Sequence, residues 1–290
     1  MRIARTAQQV DKVVIVDNGS SEDCLKMLHD ICAGQGVHLV SNQRNVGIAR
    51  ALNQGIEYAR TAGHQWVLTM DEDSIPTDTM VNDLISAYSS LPDRQRVGLI
   101  GAKPIDSTTG NNPYEDQCRG KICVEKEVLI TSGTLMSLAA WEDIGSLREE
   151  FFIDRVDQEY CLRLRRRGYK VFLACRAELH HSLGNPQVYK LLWRKVVPTQ
   201  HSYVRRYFMA RNTLLMAREY FISDPRWITR QVIGLIKATI LIALCEGDKG
   251  RKLKSTVVGV WHGLIGKTGQ HFSDELLNSY RTPARVALVG

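Results

Sequence analysis

Long uncharged apolar runs are absent from this 290-residue chain. A bilayer-spanning helix needs about eighteen such residues, and the nearest stretch, Val232 to Cys245, is shorter and broken by Lys237. Met1-Arg-Ile-Ala-Arg-Thr6 holds no apolar core of the kind that marks a signal peptide. A membrane span and secretion are therefore not expected, and the chain reads as cytoplasmic. No Cys-x-x-Cys spacing occurs among the seven cysteines. Cys118 and Cys123 are the closest pair and have no His or Cys at ligand spacing beside them. The odd count and this spacing speak against a zinc ribbon and a disulfide framework, and predict reduced thiols. Internal repeats and low-complexity tracts are missing too. Acidic residues fall short, with 31 Asp and Glu against 38 Lys and Arg and a formal charge of +7. That surplus suits an anionic partner such as a nucleotide, a phospholipid surface or nucleic acid, without choosing among them.

What is present is alternation. Val13-Val-Ile-Val16 is a β-branched run closed by Asp17-Asn-Gly-Ser20, which reads as a buried strand and a turn. Ser21 or Asp23 can cap a helix carrying Leu25, Leu28 and Ile31. Val37-His-Leu-Val40 reads as a second strand, and Asn45 opens a helix with Ile48, Leu52 and Ile56 at helical spacing. Trp66 to Met70 is the third strand, Pro76 and Asp78 predict a helix through Leu84, Ile85 and Tyr88, and Val97 to Ala102 is a further strand. Gly101 to Lys126, rich in Gly, Pro, Asn and Asp, predicts a long loop. Val128 to Leu138 predicts a strand with close backbone approach at Gly133. Phe151 to Leu162 leads into a helix ending Arg163-Leu-Arg-Arg-Arg-Gly168, and Val171 to Ala174 is a last short strand. This order predicts an α/β fold, a Rossmann-like, mostly parallel sheet flanked by helices, with ligands at the carboxyl ends of the strands. From about Tyr189, aromatic residues such as Trp193, Tyr203 and Tyr207 interleave with Arg194, Lys195, Arg205 and Arg206. The expected division is a domain over 1–188 and a helical, basic and amphipathic appendage over 189–290.

The sharpest chemistry lies in Trp66-Val-Leu-Thr-Met-Asp-Glu-Asp-Ser74. Its apolar run ends in Asp71 and Asp73, which a strand turns toward one spot. Two hard oxygen ligands suit Mg²⁺ or Mn²⁺, and such a metal grips a diphosphate. The plain alternative is an acidic turn with Ser74 capping a helix. Asp17, at the end of another strand, favours a shared site.

Further pieces follow in order: Val16-Asp-Asn-Gly-Ser20, Asn45-x-Gly47 with Asn53-x-Gly55, Met70-Asp-Glu-Asp-Ser74 and Thr131-Ser-Gly133. Phe152-Ile-Asp-x-Val-Asp-x-Glu-Tyr-Cys-x-Arg163 and His181-Ser-Leu-Gly184 complete the series. Over residues 11 to 184 this series resembles glycosyltransferase family 2, with the GT-A fold, and most closely its bacterial rhamnosyltransferase branch. Arg211-Asn212 and Gly263-x-x-Gly266-Lys267 resemble that branch as well.

The resemblance implies a metal-dependent, inverting transferase using Mg²⁺ or Mn²⁺. Its donor would be dTDP-L-rhamnose, and its acceptor a cell-surface polysaccharide (O-antigen, capsule or exopolysaccharide) or a lipid-linked saccharide precursor. It implies that Asp17 reads the pyrimidine base, or else merely closes its turn. Asn45 and Gly47 would approach the nucleotide, unless Asn45 is simply a helix N-cap. Asp71 would touch the ribose or a metal-bound water, with Asp73 and His181, or its neighbour His180, at the metal. Asp157 would be the catalytic base, with Asp154 and Glu159 as rivals, and Thr131, Ser132, Gly133 and Glu159 on the acceptor side. Glu72 stands where the branch carries Gln, and alternation turns it away. Arg163 to Arg167 read as a solvated helix face.

Leu235, Ile236, Ile240, Leu241 and Leu244, with the surrounding cations, predict a helix lying peripherally on the cytoplasmic face of the inner membrane. Plain packing or homodimerisation is the alternative. Nucleic acid is not an expected partner, because strand-end carboxylates repel phosphate unless metal intervenes. Galactofuranose, glucose or an amino sugar as donor, and a non-catalytic role in polysaccharide assembly, stay open. One family element is missing: a central first strand, expected before a helix that ends near Val10. Its loss would leave the flanking strands without a neighbour.

Overall fold

The computed structural model describes residues 2–34, 36–107, 110–181, 189–191, 194–196, 200–269, 272 and 285–289. After α1 (Arg2–Ala7), β1 (Lys12–Asn18) begins the sheet, followed by α2 (Glu22–Ala33), β2 (His38–Asn42), α3 (Ile48–Thr61) and β3 (Trp66–Asp71). In β1 the pleat sends Val14 and Val16 into one core and Val13 and Ile15 into another. That is why the run is apolar without interruption: both faces of the sheet are covered. On one face Leu52 and Ile56 of α3 pack, and on the other Met80 and Leu84 of α4 (Met80–Ser89).

The helix expected from Pro76 starts only at Met80, because Ile75–Pro76 form a two-residue strand, β4, paired with Leu179 and His180. Thr77 extends this tie through its amide and hydroxyl to the Glu178 carbonyl, at 3.3 and 3.2 Å. β5 (Val97–Asp106) runs past its expected end, and the long loop is broken up by α5 (Glu115–Cys118) and β6 (Cys123–Glu125). Pairing of β6 with β8 (Lys170–His181) brings Cys118 to Cys175, and the two form a disulfide across a Cα–Cα distance of 5.3 Å. The expectation of uniformly reduced thiols is corrected there; Cys24, Cys32, Cys123, Cys161 and Cys245 are free. β7 (Thr134–Ser137), α6 (Leu138–Ile144) and α7 (Val156–Arg166) lie between β6 and β8.

Beyond β8 come a hairpin of β9 (Tyr189–Leu191) and β10 (Arg194–Val196), three helices, α8 (Tyr203–Tyr220), α9 (Pro225–Cys245) and α10 (Lys249–Leu264), and finally β11 (Arg285–Val289). The sheet order is β2-β1-β11-β3-β7-β5-β8-β4, with β6 on β8. The long strands β1, β2, β3, β5 and β8 run one way, and β7 and β11 are inserted against them. β11 lies centrally, between β1 and β3 and antiparallel to both, with Arg285 in register with Val16 on one side and Asp71 on the other. The expected boundary at 188/189 does not divide two cores. Tyr207, Phe208, Leu215 and Tyr220 of α8 belong to the same apolar cluster as Leu52 of α3 and Leu162 of α7.

Candidate active site

Two turns form one side of the site. At the end of β1, the Asp17 carboxylate accepts from the amides of Gly19 and Ser20, each at 3.3 Å, and is 1% exposed. It closes the turn, as an Asp with short-range backbone donors does. The Asn18 amide donates to Asn45 Oδ1 (3.1 Å), and Asn18 Oδ1 accepts from the Val46 amide (2.9 Å), stapling the two turns together. Asn45 is therefore not the N-cap of α3; that position is Gly47, at φ +87°. A Cβ on Gly47 would lie 2.7 Å from Phe152 Cδ2, which ties the donor-side turn to the segment before α7. Asn53 is buried and serves structure, exchanging bonds with Leu147 and Glu149.

At the end of β3 the D-x-D turn interlocks with Thr131-Ser-Gly133. The Asp71 amide donates to Ser132 Oγ (3.0 Å), which also bonds Ser74 Oγ (2.7 Å), so Ser74 caps no helix. The Gly133 amide donates to the Thr69 carbonyl (2.8 Å), and Thr69 Oγ1 donates to the Thr131 carbonyl. Ser132 is buried, and a Cβ on Gly133 would meet Leu179 at 2.8 Å. Of the four residues expected on the acceptor side, Thr131 alone lines the cavity described next; Ser132 and Gly133 brace the D-x-D turn instead. Glu72 is exposed, as alternation requires. His181 closes β8 in register with Asp106, while Ile75 pairs with His180, so this strand end lies beside the D-x-D turn. Ser182 to Gly184 and Trp193 lie outside the described residues.

A cavity of about 350 Å³ is lined by Asp71, Thr131, Asp154 and Asp157, together with Arg155 and Arg205. The three carboxylates competing for the role of base differ in their partners. Asp154 takes a fork from Arg205, with Nε at 3.1 and 3.0 Å and Nη2 at 2.9 Å. Glu159 is 0% exposed, accepts both branches of Arg163 at 3.0 Å and the Tyr220 hydroxyl at 2.7 Å, and does not line the cavity. Its expected place on the acceptor side is corrected: a helical turn points it at Arg163 rather than at Asp157's neighbours. Asp157 lines the cavity and accepts from the Gln158 amide at 3.0 Å.

From Arg163 to Arg167 the arginines form a solvated face only in part, with Arg166 and Arg167 exposed. Arg163 also donates to the carbonyls of Ile144 and Ser146, Arg165 pairs with Asp224, and Arg167 with Asp143.

The segment leading to Asp157 is strained. Phe152 has φ +62° and ψ −65°, and the Ile153 amide donates to the Phe151 carbonyl at 2.7 Å, a γ-turn of the uncommon positive-φ kind. Asp154 and Arg155 follow at φ +63° and +66°. Sequence reading missed this loop, and it missed Arg155, His201 and Arg205 as cavity residues. No Gly or Asn marks the turn, and the partners come from α8. Burial, then the adjoining positive Arg205, pushes the His201 imidazole down to about 4.

Two solved structures share the fold at low identity. A crystal structure of GalNAc-T7 with UDP, GalNAc and Mn²⁺ matches with a TM-score of 0.53 and 13% identity over 88% of this chain. Staphylococcus aureus TarS matches with a TM-score of 0.50 and 12% identity over 82%. The chain spans 50% and 40% of those two proteins. The fold is the GT-A fold of glycosyltransferases. The model of the family described as glycosyl transferase family 2 matches residues 2–133. The dTDP-rhamnosyl transferase RfbF of Shigella flexneri is 31% identical over 279 residues, covering 92% of this chain and 90% of that protein. The chain belongs to glycosyltransferase family 2.

Proposed function

We propose that this protein is an inverting glycosyltransferase that moves L-rhamnose from dTDP-L-rhamnose to a hydroxyl of a cell-surface polysaccharide or its lipid-linked precursor. The observation that carries this reading is the shared cavity: Asp157, at the start of α7, and Asp71, at the end of β3, line it together, and Glu159 is buried outside it. Asp157 takes the proton of the acceptor hydroxyl as that oxygen attacks the anomeric carbon. Thr131 lies on the acceptor side, and Asn45 and Gly47 shape the nucleotide side. Asp17 supports the base end of the groove by holding its turn.

A divalent metal, Mg²⁺ or Mn²⁺, fits this chain in a limited way. Among the described residues no group of three or more His, Cys, Asp or Glu could hold an ion by itself. Asp71 and Asp73 offer carboxylates, and Mg²⁺ commonly takes one or two of these plus substrate phosphates. Asp73, with His181 at the neighbouring strand end, would hold it. When bound, it would offset charge growing on the departing diphosphate. The identity with the dTDP-rhamnosyl transferase supports the donor. The test is transfer from a panel of nucleotide sugars. Asp157→Asn should lose roughly 10²–10⁴-fold in turnover and keep dTDP affinity; retained turnover refutes the base assignment. Binding of dTDP unaffected by Asp73→Ala or by chelation refutes the metal assignment.

A peripheral seat on the cytoplasmic face of the inner membrane is supported by one observation. α9 is 21 residues long with a mean hydropathy of 1.7 over its most apolar window. Ile233, Ile236, Ile240 and Leu244 on it are 45–55% exposed, at helical spacing beside Lys237. Vesicles rich in anionic lipid should pellet the protein, and Ile236→Ser with Ile240→Ser should abolish this. A concentration-dependent dimer without vesicle binding would assign the stripe to self-association instead.

A further inference from the structure

The segment Glu150–Arg155 has unusual backbone and unusual support. Three of the five non-glycine residues with positive φ among the described residues, Phe152, Asp154 and Arg155, fall within it, immediately before Val156-Asp157. Such conformations persist only where surrounding structure holds them. Here the hold comes from one stretch of α8, some sixty residues downstream. Asn212 is 0% exposed, and its Nδ2 lies 2.9 Å from each of the Phe151, Ile153 and Asp154 carbonyls. Arg211 is equally buried, and its Nη2 donates to the carbonyls of Glu150 (2.5 Å) and Phe151 (3.3 Å). Its Nη1 donates to the Gly269 carbonyl (2.6 Å), and its guanidinium stacks over the Phe208 ring at 4.8 Å. Arg205 holds the Asp154 carboxylate, and Thr213 Oγ1 accepts from Arg155 Nε at 3.1 Å. Carbonyl dipoles and aromatic faces surround the Arg211 charge.

We propose that Asn212, backed by Arg211 and Arg205, is a positioning residue that sets the place of the Asp157 carboxylate by clamping this strained loop. The inference rests on Asp157 being the base. Neither Asn212 nor Arg211 lines the cavity, so neither touches substrate there. The loop itself contacts both halves of the site, since the Phe152 carbonyl accepts from the Ile48 amide at 2.7 Å, next to Gly47. A side chain that fixes these carbonyls fixes where the helix carrying Asp157 begins. A displacement of about 1 Å at a reacting group can cost on the order of 10²-fold in rate.

The experiment uses the full chain, dTDP-L-rhamnose with Mg²⁺, and five variants: Asn212→Ser, Arg205→Lys, Asp157→Asn and the double variants of Asn212→Ser and of Arg205→Lys with Asp157→Asn. For Asn212→Ser the expected result is a fall in kcat of roughly 10²-fold with dTDP affinity unchanged within about threefold. The Asn212→Ser double variant should be no slower than Asp157→Asn alone, because residues acting through one group are not additive. Equal losses in both backgrounds, or a joint fall of kcat and dTDP affinity, would overturn the positioning role in favour of a general structural one. So would unchanged kcat. Should Asn212→Ser show no cooperative melting transition, the partly exposed Arg205→Lys decides; because Arg205 lines the cavity, the deciding readout is its double variant with Asp157→Asn, which should be no slower than Asp157→Asn alone, and additive losses would overturn the positioning role. Full activity of Asp157→Asn would refute the base assignment itself and is read separately from the Asn212 result.

Discussion

Gly47→Ala tests the junction between the two halves of the site. Gly47 has φ +87° and ψ 159°, a region essentially reserved for glycine. A new Cβ would lie 2.7 Å from Phe152 Cδ2 and 2.8 Å from the Phe152 carbonyl oxygen. Neither neighbour yields cheaply: the ring stacks on Phe208 at 5.0 Å, and the carbonyl accepts from the Ile48 amide. Backbone strain of roughly 1–3 kcal/mol and overpacking of roughly the same size together cost about 2–6 kcal/mol. For 290 residues, an unfolding entropy of about 2.1 cal/mol/K per residue converts each kcal/mol to ~1.6 °C, so the melting point should fall by roughly 3–10 °C. The displaced atoms belong to the loop before Asp157, so kcat should fall more than dTDP affinity. Differential scanning fluorimetry and steady-state transfer measure both. Gly63→Ala isolates the backbone contribution, because Gly63 has φ +81° but nothing within 4 Å of an added Cβ. Gly47→Ala melting within about 1 °C of wild type, with kcat intact, would refute the reasoning.

Glu159→Gln should cost about 3 kcal/mol by weakening the buried pair with Arg163, yet leave turnover per folded molecule unchanged; lost turnover at full stability would make Glu159 the base. His201 gives a pH signature in the ligand-free protein. Its folded-state pKa of about 4 lies below the ordinary value of 6.5, so between those values the unfolded chain binds more protons and stability falls as pH drops. His201→Gln should flatten that acid limb of the melting curve, and an unchanged limb would refute the assignment. Deleting residues 285–290 uncovers the facing edges of β1 and β3. Amide exchange should then lose protection at Val13–Val16 and Val67–Met70; unchanged protection would mean that β11 does not hold that place.

The parts of this molecule legible in its sequence are those set by near neighbours. The short apolar runs Val13–Val16 and Trp66–Met70, each closed by a polar turn, placed the carboxyl ends, and with them Asp17 and Asp71, because such a run and its turn need no distant information. The rest depended on partners far along the chain. Ser74 had a plausible local role as a cap, but Ser132 Oγ, 58 residues on, offers a buried partner and takes it. Asp17 keeps its local turn instead of facing outward, since two backbone amides are already in reach. The loop Phe152–Arg155 was the hardest to foresee, as nothing in Phe-Ile-Asp-Arg announces positive φ, and a bulky aromatic is among the least expected residues there. A physical signal was nonetheless present in α8. Arg211 and Asn212 sit between Phe208 and Leu215 on a helix whose apolar residues fill the core, and buried polar side chains must find partners. A segment whose carbonyls are left over at the end of a single 3-10 turn and in the loop after it needs donors. Each of these two deficits predicts the other, which is how an Arg-Asn pair without reactive chemistry of its own comes to bear on the placement of a base.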